Sequence, residues 1–276
     1  MRGKTCVVTG GTGGIGGEIA RGLGRLGADV VLVVRSPERG EEVRRVMRAD
    51  GGGGTVHLVR GDLEAMGDVR RAAAEVAGRF PRVDVLVNNA AVFTRKRRET
   101  ADGFEAQFAV NHLAPFLLTH LLLGPLRAAG AARVVTLSSE AHRHGGVPWD
   151  DLRGVQRYSG IRRYSDTKLM NLLFTKELAR RVAGDGITAN AMHPGVVGTE
   201  LLYNGFPPIR LLKPFLRTPE QGARTGVWLA SEPSVAGVTG RYWKDEREMQ
   251  PAARALEAEA AQRLWDESAR LTGIEA

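Results

Sequence analysis

The sequence predicts an α/β fold, a single doubly wound domain over residues 1–276 with a parallel sheet, and three observations carry the prediction. Short apolar, β-branched runs recur along the chain, segments of helical periodicity lie between most of them, and a glycine-rich turn follows the first run directly.

The runs are "TCVVT" (5–9), "DVVLVV" (29–34), "TVHLV" (55–59), "VDVLV" (83–87), "ARVVTL" (132–137) and "ITANAM" (187–192). Each is nearly continuously apolar, the pattern of a strand covered on both faces. Segments such as "GEIARGLGRLG" and "VRRAAAEVAGRF" supply the crossover helices that parallel strands require. "DGGGG" (50–54) reads as a helix-to-strand turn, because strand alternation resumes at once and no linker divides the chain. Residues 195–218, containing "YNGFPPIRLLKPFLR", break the rhythm. A connection of that length in a compact domain suggests a substrate lid after the sixth strand. Tyr203, Phe206 and Phe215 with Trp149 are expected either to line an apolar pocket or to pack the lid on the core.

Composition excludes several classes. Cys6 is the only cysteine, so disulfides and cysteine-ligated zinc are out, and a reducing, cytoplasmic setting is expected. No run approaches the ~20 apolar residues of a membrane span, and no signal peptide is visible. The net charge of +8 comes from scattered arginines. The densest run, "RKRR" at Arg95 to Arg98, has no interleaved aromatics to stack bases, so no nucleic-acid partner is expected. His142 and His144 lack partners at ligand spacing, and no metal is expected.

The turn "TGGTGGIG" (Thr9 to Gly16) lies between a strand and a helix, where free N–H groups and the helix dipole attract a pyrophosphate. Its glycines, Gly10, Gly14 and Gly16, depart from the general G-x-G-x-x-G spacing. Arg35 stands at the tip of the second strand, where an acidic residue would hold a free ribose 2′-hydroxyl. An arginine there suits a 2′-phosphate, with Arg39 able to assist. A charge-assisted bond of about 1.5–3 kcal/mol converts to roughly a 10- to 150-fold preference for NADP over NAD. Asp62 and Leu63 in "GDL" fit an adenine, and "NNAA" (88–91) puts Asn89 and Ala90 at the carboxyl end of the sheet. Tyr164 precedes Lys168 by four residues, one helical turn apart on one face.

The ordered set "TGGTGGIG", "GDL", "NNAA", "NHLAPFLLT", "VVTLSSEAHR", "YSDTKLMNLLFTKELARR" and "HPGVVGTEL" resembles the short-chain dehydrogenase/reductase family, within it the retinol dehydrogenase-like branch, over essentially the whole chain. The resemblance implies a Rossmann fold and a catalytic tetrad of Asn111, Ser139, Tyr164 and Lys168. It implies cofactor contacts from Gly10, Thr12, Gly13, Gly14, Ile15 and Gly16 at the turn, and from Pro194, Gly195, Val197 and Thr199 after the sixth strand. Tyr164 and Lys168 would also meet the cofactor. Tyr158 is a decoy, because Arg162 stands where its lysine would be, and Ser138 is structural. Asn111 can also cap a helix. A lysine ammonium beside the phenol is expected to lower the tyrosine pKa.

The expectation is an NADP(H)-dependent oxidoreductase interconverting an alcohol with a ketone or aldehyde, its substrate an apolar small molecule and Tyr164 its general acid/base. A tailoring enzyme of a biosynthetic pathway and a non-catalytic nucleotide sensor stay open as alternatives. The membrane-anchoring N-terminal extension of several retinol dehydrogenases is not seen, so no membrane anchor is expected. The helices bearing Asn111 and Tyr164 are apolar enough to pair in a homodimer.

Overall fold

The computed structural model describes residues 1–51, 53–205 and 207–275. Eight strands form one sheet in the order β3-β2-β1-β4-β5-β6-β7-β8. They are β1 Thr5–Thr9, β2 Asp29–Val34, β3 Val56–Arg60, β4 Val85–Asn88, β5 Ala132–Leu137, β6 Ile187–Met192, β7 Tyr242–Lys244 and β8 Arg247–Glu248. All pairings are parallel except β7 with β8. The order reverses direction between β1 and β4, and the crevice at the carboxyl ends beside such a switch point is where open α/β sheets bind ligands.

The ten α-helices among the described residues are α1 Gly14–Arg25, α2 Pro37–Ala49, α3 Met66–Arg79, α4 Ala106–Phe108, α5 Ala114–Leu121, α6 Leu123–Ala128, α7 Gly160–Arg181, α8 Glu200–Gly205, α9 Pro219–Ser231 and α10 Ala258–Thr272. Successive strand residues point to opposite faces, so each apolar run feeds two cores. On one face Val8, Leu32 and Val87 pack with Ile19 and Leu23 of α1 and Leu229 of α9. On the other, Val7, Val33 and Leu86 pack with helices α3, α5 and α7.

Six strands were expected and eight are present among the described residues. β7 and β8 are only three and two residues long, too short for an alternating pattern. Their two-residue turn, Asp245 (φ 53°) and Glu246 (φ 61°), is left-handed without the Asn-Gly signature. "DGGGG" does join α2 to β3, although Gly52 lies outside the described residues. The expected lid is not an irregular loop: it holds α8 and a 3₁₀ stretch, Pro207–Phe215.

α10 lies over α5 and α7. Its Trp265 stacks on Phe174 at 6.0 Å, meets Phe116 edge-on at 4.9 Å and carries the Arg181 guanidinium 4.7 Å above its ring. The apolar positions of α7, Leu169 to Phe174 among them, are thereby buried within the chain itself. α10 therefore covers part of the apolar surface of α5 and α7. Among the described residues no helix is long and apolar enough to cross a membrane.

Candidate active site

The glycine turn is shaped by close approaches. Gly10 has φ +66°, and a Cβ on Gly16 would stand 2.2 Å from Asn89 Nδ2 and 2.4 Å from the Gly10 carbonyl oxygen. Only glycine lets α1 start this close to β4. Asn89 Nδ2 donates to the carbonyls of Thr9 (2.8 Å) and Gly10 (3.2 Å), while the Asn89 and Ala90 amides donate to Thr9 Oγ1. α1 has neither a side-chain cap nor an acidic residue in its first turn, so its first N–H groups and its dipole are left for an anion.

A crevice of ≈ 870 Å³ runs from this turn along the carboxyl ends of the strands. Gly10, Thr12, Gly13, Gly14, Ile15 and Gly16 form its floor, and Arg35, Asp62 and Leu63 form one end. Asn89 and Ala90 lie mid-way, and Tyr164, Lys168, Pro194 and Thr199 form the other end. Glycines that a Cβ would foreclose, an uncapped helix start and this length together fit a dinucleotide. Two expected contacts stand off the wall. Val197 is buried against Gly222, and Gly195 (φ +87°) faces the Arg217 side chain.

Arg35 is well exposed and lies 3.8 Å from Glu64, whose carboxylate is held on both oxygens by Arg98. Asp62 Oδ1 accepts from the Glu64 amide at 3.0 Å. Sequence reasoning missed Glu64 and gave Arg98, in the run "RKRR", no role. The letter after "GDL" was the only signal available.

At the opposite end Ser139 follows β5 and caps the turn Glu140–His144, its Oγ accepting from the Ala141 amide at 3.2 Å, and it lies beside the Tyr164 hydroxyl. The Lys168 amine lies 5.4 Å from the Tyr164 ring centroid and donates to the Leu137 carbonyl at 3.0 Å. Ser138 Oγ donates to the Lys168 carbonyl at 2.8 Å, a brace between β5 and α7 that matches its structural reading. Burial pushes the Tyr164 phenol up to about 12, the Ser139 bond acting weakly the other way. Burial pushes the Lys168 amine down to about 8. The expected lowering of the tyrosine is not found: the largest influence on each group is its own burial, which raises the phenol and lowers the amine.

Asn111 is not a helix cap. It lies in a π-helical turn, Ala109–Leu113, between α4 and α5. Its Oδ1 accepts the Val92 amide (2.8 Å) and its Nδ2 donates to Val92 O (3.1 Å) and Thr167 Oγ1 (3.2 Å). The widened turn turns the side chain toward α7 one residue from Lys168.

Tyr158 is occupied elsewhere. Its hydroxyl donates to Thr94 O at 2.8 Å and accepts from Gln107 Nε2 at 2.9 Å. It borders a buried ion pair in which Arg163 Nε meets Glu105 Oε2 at 3.0 Å, and Glu105 also caps α4 through the Gln107 and Phe108 amides. Nothing in the spacing announced this pair, which braces the first turn of α7 just before Tyr164.

Of the expected lid aromatics, Phe215 is 86% exposed, Tyr203 lies under Arg210 and Trp149 under Arg263. Phe206 lies outside the described residues. None of the three described lines the crevice, whose apolar wall near Tyr164 comes from Val92, Val110, Leu137 and Leu201.

A nucleotide crevice at the switch point, ending at a serine–tyrosine–lysine cluster, defines a dinucleotide-binding oxidoreductase. A model of the short chain dehydrogenase family matches residues 4–207, and the chain belongs to that family, whose members use nicotinamide cofactors. Within it the chain falls in the retinol dehydrogenase-like branch. It is 41% identical to human retinol dehydrogenase 14 over 99% of this chain and 88% of the relative. It is 42% identical to mouse polyprenol dehydrogenase over 98% and 84%. Among solved structures, an uncharacterized protein from Mycobacterium paratuberculosis superposes with a TM-score of 0.82 at 36% identity, covering 99% of this chain and 95% of that one.

Proposed function

We propose that this protein is an NADP(H)-dependent oxidoreductase that interconverts an apolar alcohol with its aldehyde or ketone, with Tyr164 as general acid/base. The observation that carries this is that Tyr164 and Lys168, 5.4 Å apart from amine to ring centroid and with Ser139 beside the phenol, lie at the end of a crevice that begins at the glycine turn. The bound nicotinamide would supply or accept the hydride. The α1 N-terminus and the turn would hold its pyrophosphate, Arg35 the 2′-phosphate, and Thr199 with Pro194 the nicotinamide end.

The chain's own residues handle the proton. A phenol with a pKa near 12 is fully protonated at neutral pH and can give its proton to a carbonyl oxygen. Ser139 donates a second hydrogen bond to that oxygen as negative charge develops. Asn111 ties Val92, in the connection after β4, to Thr167 next to Lys168. The walls of Val92, Val110, Leu137 and Leu201 favour an apolar substrate, and the two relatives are named for retinol and polyprenol. A cytoplasmic location and a lid function for residues 195–218 belong to the same proposal.

The test is Tyr164→Phe, assayed with NADPH and a panel of apolar aldehydes alongside direct NADPH titration. Turnover is lost and NADPH affinity stays within a few-fold of the parent. Retained turnover sinks the role of Tyr164. A parent that binds NADPH yet consumes none with any aldehyde favours the nucleotide-sensor reading.

A further inference from the structure

Three charged groups from three different loops meet at the adenosine end of the crevice, and only one of them belongs to the cofactor reading. Arg35 follows β2, Glu64 follows β3, and Arg98 comes from the connection between β4 and α4. Glu64 lines the crevice beside Arg35. A carboxylate there is an obstacle, since it repels a phosphate and competes with it for the same guanidinium. Arg98 stands behind it and takes both of its oxygens, Nη2 to Oε1 at 2.7 Å and Nη1 to Oε2 closer still. Arg35 Nη1 is left 3.8 Å from Oε1, beyond hydrogen-bond distance.

The grip is built into the backbone. The Arg98 carbonyl accepts from the Ala106 amide at 2.9 Å, and Glu99 bridges to Glu105, so the segment carrying Arg98 is tied to the start of α4. Glu64 is itself held, its amide bonded to Asp62 Oδ1. Arg98 first, and Arg35 after it, hold the Glu64 carboxyl below its usual range, so the negative charge is permanent at working pH and has to be neutralised by a partner.

We propose that Arg98 is a positioning residue for cofactor choice: by gripping Glu64 with both nitrogens it keeps Arg35 available to the 2′-phosphate that separates NADP from NAD. This rests on the reading of Arg35 as the phosphate ligand. Without Arg98, Glu64 swings to Arg35 and the site loses its preference. The residue that selects the phosphate is therefore set by one that never touches it.

The experiment titrates the free protein calorimetrically with 2′,5′-ADP, which carries the 2′-phosphate, and with 5′-AMP, which lacks it. The variants are Arg98→Ala, Arg98→Lys, Glu64→Gln, Arg98→Ala/Glu64→Gln and Arg35→Ala. Arg98→Ala weakens 2′,5′-ADP about two- to five-fold, the scale of a half-exposed ion pair, and leaves 5′-AMP unchanged. Glu64→Gln binds 2′,5′-ADP at least as tightly as the parent, and the double variant returns to parental affinity. Arg98→Lys, which keeps the charge and loses the fork, is weaker than the parent. An unchanged affinity ratio in Arg98→Ala, a double variant that is not restored, or an Arg98→Lys equal to the parent overturns the proposal. If Arg35→Ala leaves the ratio of the two ligands unchanged, the Arg35 reading fails instead, and the two failures are told apart.

Discussion

Lys168 should be expensive to keep, and replacing it by methionine should make the protein more stable while removing its activity. The side chain is 3% exposed, and burial lowers its amine from 10.5 to about 8. That difference corresponds to about 3 kcal/mol of unfavourable charging in the folded state. The sign follows from proton counts. Between pH 8 and 10.5 the unfolded chain binds the proton and the folded chain does not, so stability rises with pH across that window; below pH 8 the penalty is complete. Lys168→Met removes the penalty without orphaning its partner, because Leu137 O still accepts from Asn171 Nδ2 at 3.1 Å. The expected gain at pH 7 is roughly 1–3 kcal/mol, a rise of about 2–4 °C in Tm for each kcal/mol. Urea unfolding followed by tryptophan fluorescence at pH 7 and at pH 10.5 measures it. The gain should shrink by about 3 kcal/mol at the higher pH. A variant less stable than the parent at pH 7, or an advantage independent of pH, would refute the reasoning.

The remaining expectations concern the same site and its braces. Tyr164 should contribute no tyrosinate absorbance below about pH 10 in the free protein, read as parent minus Tyr164→Phe. Its raised pKa stabilises the fold below pH 10, and that contribution is lost as pH climbs from 10 to about 12. Gly16→Ala drives a methyl into Asn89 and the Gly10 carbonyl, so NADPH affinity should drop more than about tenfold and stability by about 1–3 kcal/mol, by titration and melting. Glu105→Gln strips a buried guanidinium of its counter-charge and should cost about 3–5 kcal/mol in a melt. Tyr158→Phe, by contrast, should keep turnover within a few-fold, as a phenol outside the crevice must.

The sheet was legible where its strands are buried on both faces. The runs 5–9, 29–34, 132–137 and 187–192 coincide with β1, β2, β5 and β6, because continuous β-branched sequence between helical segments has few other homes. β7 could not be read: its pairing of Tyr242 with Ala191 and Trp243 with Met192 depends on a strand some fifty residues earlier, not on any pattern of its own. The π-helical turn at Asn111 was hidden for a related reason. A single extra residue in a helical turn leaves the apolar periodicity of "NHLAPFLLT" almost untouched, and the widening is visible only in what the side chain reaches.

At the site, spacing identified neighbours but not their charge state. A tyrosine four residues before a lysine on a helix will meet it, and Tyr164 and Lys168 do. Whether the meeting lowers the phenol's pKa depends on how well the ammonium and the phenolate are solvated, which four residues of separation cannot report. Here α7 lies between β5, β6 and the C-terminal helix, and the packing that orients the pair buries Lys168 and leaves Tyr164 part-buried at the crevice wall. Each group is driven toward its neutral form, the phenol up and the amine down. A neutral phenol is the form that donates a proton to a carbonyl, whereas alcohol oxidation needs the phenolate that burial disfavours. Spacing therefore identifies the acid and its neighbour, while the ionisation of each is set by how far the surrounding packing takes it out of water.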